Sequence, residues 1–237
     1  MALRKIVTVG DPILTKVCRP VTRFDQKLAI LIEDMIETMH NANGVGLAGP
    51  QVGVMRRLCV VDTGEEDVEL VNPEVVEVSE ETQTGVEGCL SLPGKYGIVT
   101  RPEHVVVRAQ DRNGDWYEYE GEDVVARCFL HEIDHLDGHM YTEIAEKMLT
   151  PEELAALEQQ EAEVFREMAL CQAGMGDLKA ALDRIGAAVR LDPSYTHIWV
   201  KGDLLYQNGS WSKALEAYEE VREILPENAD IWTDMAA

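Results

Sequence analysis

Two histidines four residues apart, His131 and His135, stand in the pentapeptide His-Glu-Ile-Asp-His. On a helix they lie one turn above each other, so both imidazoles can reach one metal ion. Glu132 sits about 100° round the axis from that face. There it can take a proton from a metal-bound water without being a ligand. Two imidazoles and a carboxylate base are what metal-assisted hydrolysis requires. A pair of surface histidines is the bland alternative, and the pentapeptide alone leaves third ligand, metal and substrate open.

Two other segments bear on the choice. Cys89, within Glu87-Gly88-Cys89-Leu90-Ser91, is expected in a turn-flanked strand where a glycine lets backbone approach a site closely. A thiolate with two imidazoles gives three protein ligands and leaves a fourth position open, the pattern of a catalytic site. The segment Gly44-Val45-Gly46-Leu47-Ala48-Gly49-Pro50-Gln51 lacks the Lys-Ser/Thr ending of a phosphate loop and the Rossmann spacing. It suits a strand or loop lying against a substrate backbone, with Gln51 donating a side-chain N–H. Glu87 and Arg101 are as readily unrelated surface charges as an ion pair steadying the Cys89 loop.

These residues need a frame. Leu28, Leu31, Ile32, Met35, Ile36 and Met39 follow the spacing of an amphipathic helix that Asn43-Gly44 ends. From Val54 to about Ala126 short β-branched runs alternate with turns: Leu58–Val61, Glu69–Val71, Val75–Val78, Val105–Arg108 and Tyr117–Tyr119. Asn113-Gly114 reads as a hairpin turn between the last two. A second helix, from Val124 to about Leu136, carries the His-Glu-x-x-His residues, and Gly138 follows its end. The expected fold is α+β, a mixed or antiparallel sheet packed around a metal-binding helix.

Thr150-Pro151-Glu152-Glu153 is a helix start, with Thr as N-cap and Glu three residues on. Beyond it the chain reads as helical, with breaks at 174–177, 192–194, 208–210 and 226–228. Gly176 and Gly209, Ala181 and Ala214, Leu182 and Leu215, Pro193 and Pro226, Ile198 and Ile231, and Trp199 and Trp232 each lie 33 residues apart. A fixed period with two helices per unit marks a helical-hairpin repeat. The tail resembles the tetratricopeptide repeat, with Tyr218 in an aromatic slot, although Ile198 and Lys201 depart from that pattern. The domains expected are 1–150, catalytic; 151–160, a helical linker; and 161–237, about two repeats and part of a third. A repeat tail implies a protein partner or self-association.

Composition narrows the partners. A net charge of −23 argues against direct contact with nucleic acid or an anionic membrane, both of which repel an acidic surface. Five scattered cysteines make no disulfide framework and fit a reducing compartment. No stretch reaches the roughly 18 to 20 apolar residues of a membrane span, and the start carries no signal-peptide pattern. The expected location is the cytoplasm.

Taken in order, Gly-Val-Gly-Leu-Ala-Gly-Pro-Gln, Glu-Gly-Cys-Leu-Ser and His-Glu-Ile-Asp-His resemble peptide deformylase over about residues 1–150. Asp11-Pro12-Ile13-Leu14 and Asn72-Pro73 extend the likeness, with Gly49 where the family usually has Ala, a change expected to loosen the loop slightly. The resemblance implies an enzyme that removes the formyl group from N-formylmethionyl nascent peptides and releases formate. It implies Cys89, His131 and His135 as ligands of one divalent ion, Fe²⁺ first, with Zn²⁺, Ni²⁺ or Co²⁺ able to replace it. Glu132 would be the base. The Gln51 side chain and the Leu90 N–H would face the developing oxyanion, and Val45 and Gly46 would hold the peptide backbone. Two rivals stand beside this reading: a zinc endopeptidase, since His-Glu-x-x-His is also its signature, and a repeat scaffold with a vestigial enzyme domain.

Overall fold

The computed structural model describes residues 2–225. They fall into two compact units divided between Leu149 and Thr150.

In the first unit, helix α1 spans Gln26–Asn41, and Asp25 caps it by accepting from the N–H groups of Lys27 and Leu28. Leu28, Ile32, Met35 and Met39 are fully buried along the expected stripe. Asn43, at φ 53°, takes the chain out of the helix in a conformation asparagine tolerates.

Eight strands follow: β1 (Gly46–Ala48), β2 (Leu58–Asp62), β3 (Asp67–Val78), β4 (Thr82–Cys89), β5 (Leu92–Pro102), β6 (His104–Gln110), β7 (Trp116–Glu122) and β8 (Lys147–Met148). They form two sheets, ordered β1-β2-β3-β6-β7 and β4-β5-β8. Every strand pairing is antiparallel, which settles the mixed-or-antiparallel alternative. The runs Glu69–Val71 and Val75–Val78, read as two strands, are one. The ladder shifts register between Val71 and Glu74, where Pro73 has no N–H to give and Asn72 turns to φ 52°. The Asn72 side chain bonds both the N–H and the carbonyl of Val21.

Most of β4 and β5 carries little strand signal. Thr82–Cys89 is half polar with two glycines, and β5 contains Pro93 and Gly94. The two are held by their mutual ladder, from Thr82–Pro102 to Gly88–Tyr96.

Helix α2 spans Asp123–Leu136. Ala126, Phe129, Ile133 and Leu136 pack with Cys59, Val61, Leu70, Val105, Val107 and Ala109 of the five-stranded sheet. Gly138, at φ 81°, turns the chain away just past the helix.

The second unit contains helices α3 (Pro151–Gly174), α4 (Leu178–Leu191), α5 (Tyr195–Gln207) and α6 (Trp211–Ile224). The cap predicted at Thr150 forms reciprocally: Glu153 N–H donates to Thr150 Oγ1 at 3.2 Å, and Thr150 N–H to Glu153 Oε2 at 3.0 Å. From that cap α3 runs unbroken through residues 151–160. Each helix packs on the next in sequence. Gly176 and Gly209, at φ 85° and 76°, turn the chain before α4 and α6. Ala181 of α4 and Ala214 of α6 are buried, and Ala181 packs with Ala162 and Ala169 of α3. The break at 226–228 and the repeat partners Pro226, Ile231 and Trp232 lie outside the described residues. Among the described residues no helix is long and apolar enough to cross a membrane.

Candidate active site

Helix α2, the end of β4 and the start of β1 converge on one cleft of about 560 Å³. Sheet packing sets the orientation of α2. With Ala126, Phe129 and Ile133 turned into the core, His131 and His135 face β4, and Glu132 faces β1.

The ligand atoms of Cys89, His131 and His135 all lie within 4.8 Å of one another. Cys89 Sγ is 3.1 Å from His135 Nε2, and the two imidazole centroids are 4.9 Å apart, nearly perpendicular. The far nitrogen of His131, Nδ1, bonds Glu87 Oε2 at 2.9 Å, so Nε2 is left to face the thiol. Tyr141 stacks on His131 at 5.8 Å and donates its hydroxyl to the Lys95 carbonyl. His135 is almost wholly buried, and its Nδ1 has no partner.

The Glu87–Arg101 pair is real and belongs to a larger cluster. Arg101 Nε and Nη2 reach the two oxygens of Glu87 at 2.6 and 3.0 Å. Arg101 Nη1 reaches Asp134 at 2.8 Å. Arg127 adds a bond to Glu87 Oε1 at 2.8 Å and another to the Val99 carbonyl at 3.0 Å. Burial raises the Glu87 carboxyl, but hydrogen bonds from His131 and Arg101 outweigh it and hold the group at about 2. The sequence reading missed Arg127, Asp134 and Tyr141. Arg127 and Asp134 had a signal, since Arg127 stands one helical turn before His131 and Asp134 lies inside the pentapeptide.

Glu132 is 4% exposed, and its Oε2 has no hydrogen-bond partner. Burial pushes its carboxyl up to about 7, against the pull of His131. Gly46 makes room for it: a Cβ there would overlap Glu132 Oε1 and lie 2.8 Å from Cδ. Burial disfavours charge on both histidines. It lowers His135 to about 3, whereas bonds to Cys89 and Glu87 push His131 up to about 10.

The remaining predicted residues line the same cleft. Gln51, fully buried, accepts from Ala48 N–H at 2.7 Å and points Nε2 at Cys89 Sγ, 3.4 Å away. Leu90 sits in the β4–β5 turn, its side chain packed close to Gly44. Val45 is half exposed just before β1, and β1 is an edge of its sheet. Gly49 is tightly packed rather than loosening its loop: a Cβ would meet the carbonyls of Arg56 and Val54 at 2.7 and 2.8 Å.

A thiolate, two imidazoles and a buried, unpartnered carboxylate oxygen suit a hydrolytic divalent ion. The comparisons with known proteins give that chemistry a substrate. The family model for polypeptide deformylase matches residues 3–150. The chain belongs to the peptide deformylase family. A peptide deformylase of Agathobacter rectalis is 55% identical over 149 residues, 63% of this chain and 94% of that one. That of Caldicellulosiruptor bescii is 51% identical over 154 residues, 65% and 92% of the two chains. Among solved structures, the Thermotoga maritima peptide deformylase superposes with a TM-score of 0.61 at 41% identity, covering 62% of this chain and all of that one. The Synechococcus elongatus peptide deformylase in complex with actinonin gives 0.59 at 37%, covering 61% and 79%. Metal dependence comes with the family, and a Cys-His-His trio able to hold an ion is present.

This chain is an enzyme that removes the N-formyl group from peptides. The endopeptidase and scaffold alternatives fall with that result. A second family model, bacterial transcriptional activator domain, matches residues 120–234 and so takes in the helical tail.

Proposed function

We propose that this chain deformylates N-formylmethionyl nascent peptides with Glu132 as its proton-transfer residue and Cys89, His131 and His135 as its metal ligands. The observation that carries the reading is the Glu132 carboxylate, buried with one oxygen unpartnered beside a thiol and two imidazoles. The donor set suits Fe²⁺ and Zn²⁺ alike; the family resemblance favours Fe²⁺, with Ni²⁺ and Co²⁺ as substitutes. When bound, the ion supplies the Lewis acidity that makes water a nucleophile near neutral pH.

The chain's own residues do the rest. Glu132 takes a proton from the attacking water and returns it to the departing amine, and its pKa near 7 suits both tasks. Gln51 Nε2 and the Leu90 N–H donate to the charge that develops on the formyl oxygen. Val45 and Gly46 hold the peptide backbone as a strand added at the open edge of β1. Val45, Val86 and Cys128 line the cleft and receive the methionine side chain.

We read the tail as a tetratricopeptide-like helical repeat that binds protein. Support comes from the left-handed glycines 176 and 209 and the buried alanines 181 and 214, each pair 33 residues apart. Free thiols at all five cysteines favour the cytoplasm.

Glu132→Gln tests the mechanism. Formate release from a formyl-methionyl tripeptide should fall about 100- to 10,000-fold with one ion per chain retained. Near-normal turnover in that variant rejects Glu132 as the proton carrier.

A further inference from the structure

Helix α3 is apolar on two sides. Ala162, Phe165, Ala169 and Ala173 pack inward with Ala181, Ile185 and Leu204. On the far side of the helix lie Leu157, Val164, Met168, Cys171 and Met175, separated by seven, four, three and four residues. At 100° per residue these five share one stripe, with the spacing of a seam that meets another helix. All five are exposed, Val164 at 55% and Met175 at 77%. Val164, Met168, Cys171 and Met175 line a shallow groove along α3 with Glu163 and Glu167 on its bank. A helix that needed only its inner neighbours would carry polar residues there.

The charge around the stripe selects what covers it. Helix α3 carries six glutamates and one arginine. That arginine, Arg166, is shared by Glu163 at 2.8 Å and Glu167 at 2.7 Å, so the rim stays negative. A second copy would set glutamate rim against glutamate rim, which disfavours pairing. The complementary partner carries lysine or arginine beside its own apolar seam. From Leu157 to Met175 the stripe runs about 27 Å, five turns of a docked helix.

We propose that the outer stripe of α3 is the docking surface for a basic amphipathic helix of a partner protein. Its apolar side covers Val164, Met168 and Met175, and its cations reach Glu161, Glu163 and Glu167. The proposal rests on the reading of the tail as a protein-binding module and names the face and chemistry of that binding.

The test uses the full chain and a fluorescent synthetic helix of about 20 residues, leucine at seam positions and lysine on the flanks, followed by anisotropy. Binding is expected to fall with rising salt and to be absent for the same peptide with glutamate in place of lysine. The exposed pair Val164→Ser/Met168→Ser, which leaves every charge in place, should weaken it about tenfold with deformylation unchanged and the helical circular dichroism retained. Glu163→Gln/Glu167→Gln should weaken it and flatten the salt dependence. Undiminished binding by the serine pair overturns the proposal, because attraction to the acidic chain in general then accounts for it. Loss instead with Glu219→Gln/Glu220→Gln on α6 overturns the α3 face while the tail stands as a binding module. No binding by the unaltered chain, or a dimer that the serine pair dissolves, also overturns it.

Discussion

Glu87 Oε2 and His131 Nδ1 are 2.9 Å apart, deep under the cleft. The bond occupies the imidazole nitrogen that faces away from Cys89 and fixes the ring so that the other nitrogen is presented to the thiol. Arg101 and Arg127 hold the same carboxylate from behind, so the orientation of the His131 ring is set through residues of two strands and the helix itself.

Glu87→Gln keeps the shape and removes the charge. Metal affinity should fall about 10- to 100-fold, read by competition with a chelator. Two buried guanidiniums then share a neutral amide, so the melting temperature at saturating metal should fall as well. Unchanged affinity would show that His131 is oriented by packing on Tyr141 alone.

Gly46→Ala puts a methyl where Glu132 Oε1 sits. The carboxylate has to move, and displacement of a catalytic group by about 1 Å is worth roughly 100-fold in rate. A drop in kcat with metal content intact is expected. If KM rises and kcat holds, Gly46 serves the peptide track and not Glu132.

Asp34 of α1 accepts from Ala2 N–H at 2.8 Å and from Arg4 Nη2 at 3.0 Å. The backbone bond from Ala2 leads in holding its pKa below the usual carboxylate value. A depressed folded-state pKa contributes stability that is present above the unfolded value, about 3.9, and lost as pH falls through the folded one. Asp34→Asn should therefore melt lower than the parent at pH 7, and the gap should close as both are taken to strongly acidic pH. A gap independent of pH points to lost shape and not lost charge.

Removal of residues 161–237 should leave kcat/KM for short formyl peptides unchanged, since every proposed site residue lies before Thr150. A large fall in kcat with folding retained would show that the tail shapes the site. Gly202→Ala tests the tail in place. The added Cβ would lie 2.6 Å from the Tyr218 ring, whose hydroxyl bonds Asp203 at 2.7 Å. Overpacking of this kind costs about 1–3 kcal/mol, so the tail should unfold earlier in a melt while deformylation is unaffected.

The amino-acid sequence by itself determined the chemistry. The roles proposed for His131, Glu132 and His135 were legible because helical periodicity is local, and Cys89 and Gln51 sit in segments whose residue order is distinctive. The helix start at Thr150 and the turn glycines were legible for the same reason: capping and left-handed backbone are decided within a few residues. What the chain could not show locally, tertiary structure decided. The β4–β5 pair hides in a polar, glycine-bearing stretch because its stability comes from cross-strand pairing at long range. Glu87 and Arg101 were equally readable as surface charges until folding brought Arg127, Asp134 and His131 to them, since a buried carboxylate has to be paired and its partners come from distant segments. The room Gly46 leaves for Glu132 and the uncovered second face of α3 likewise exist only once the elements have packed, because contact and exposure belong to the fold and not to any window of sequence.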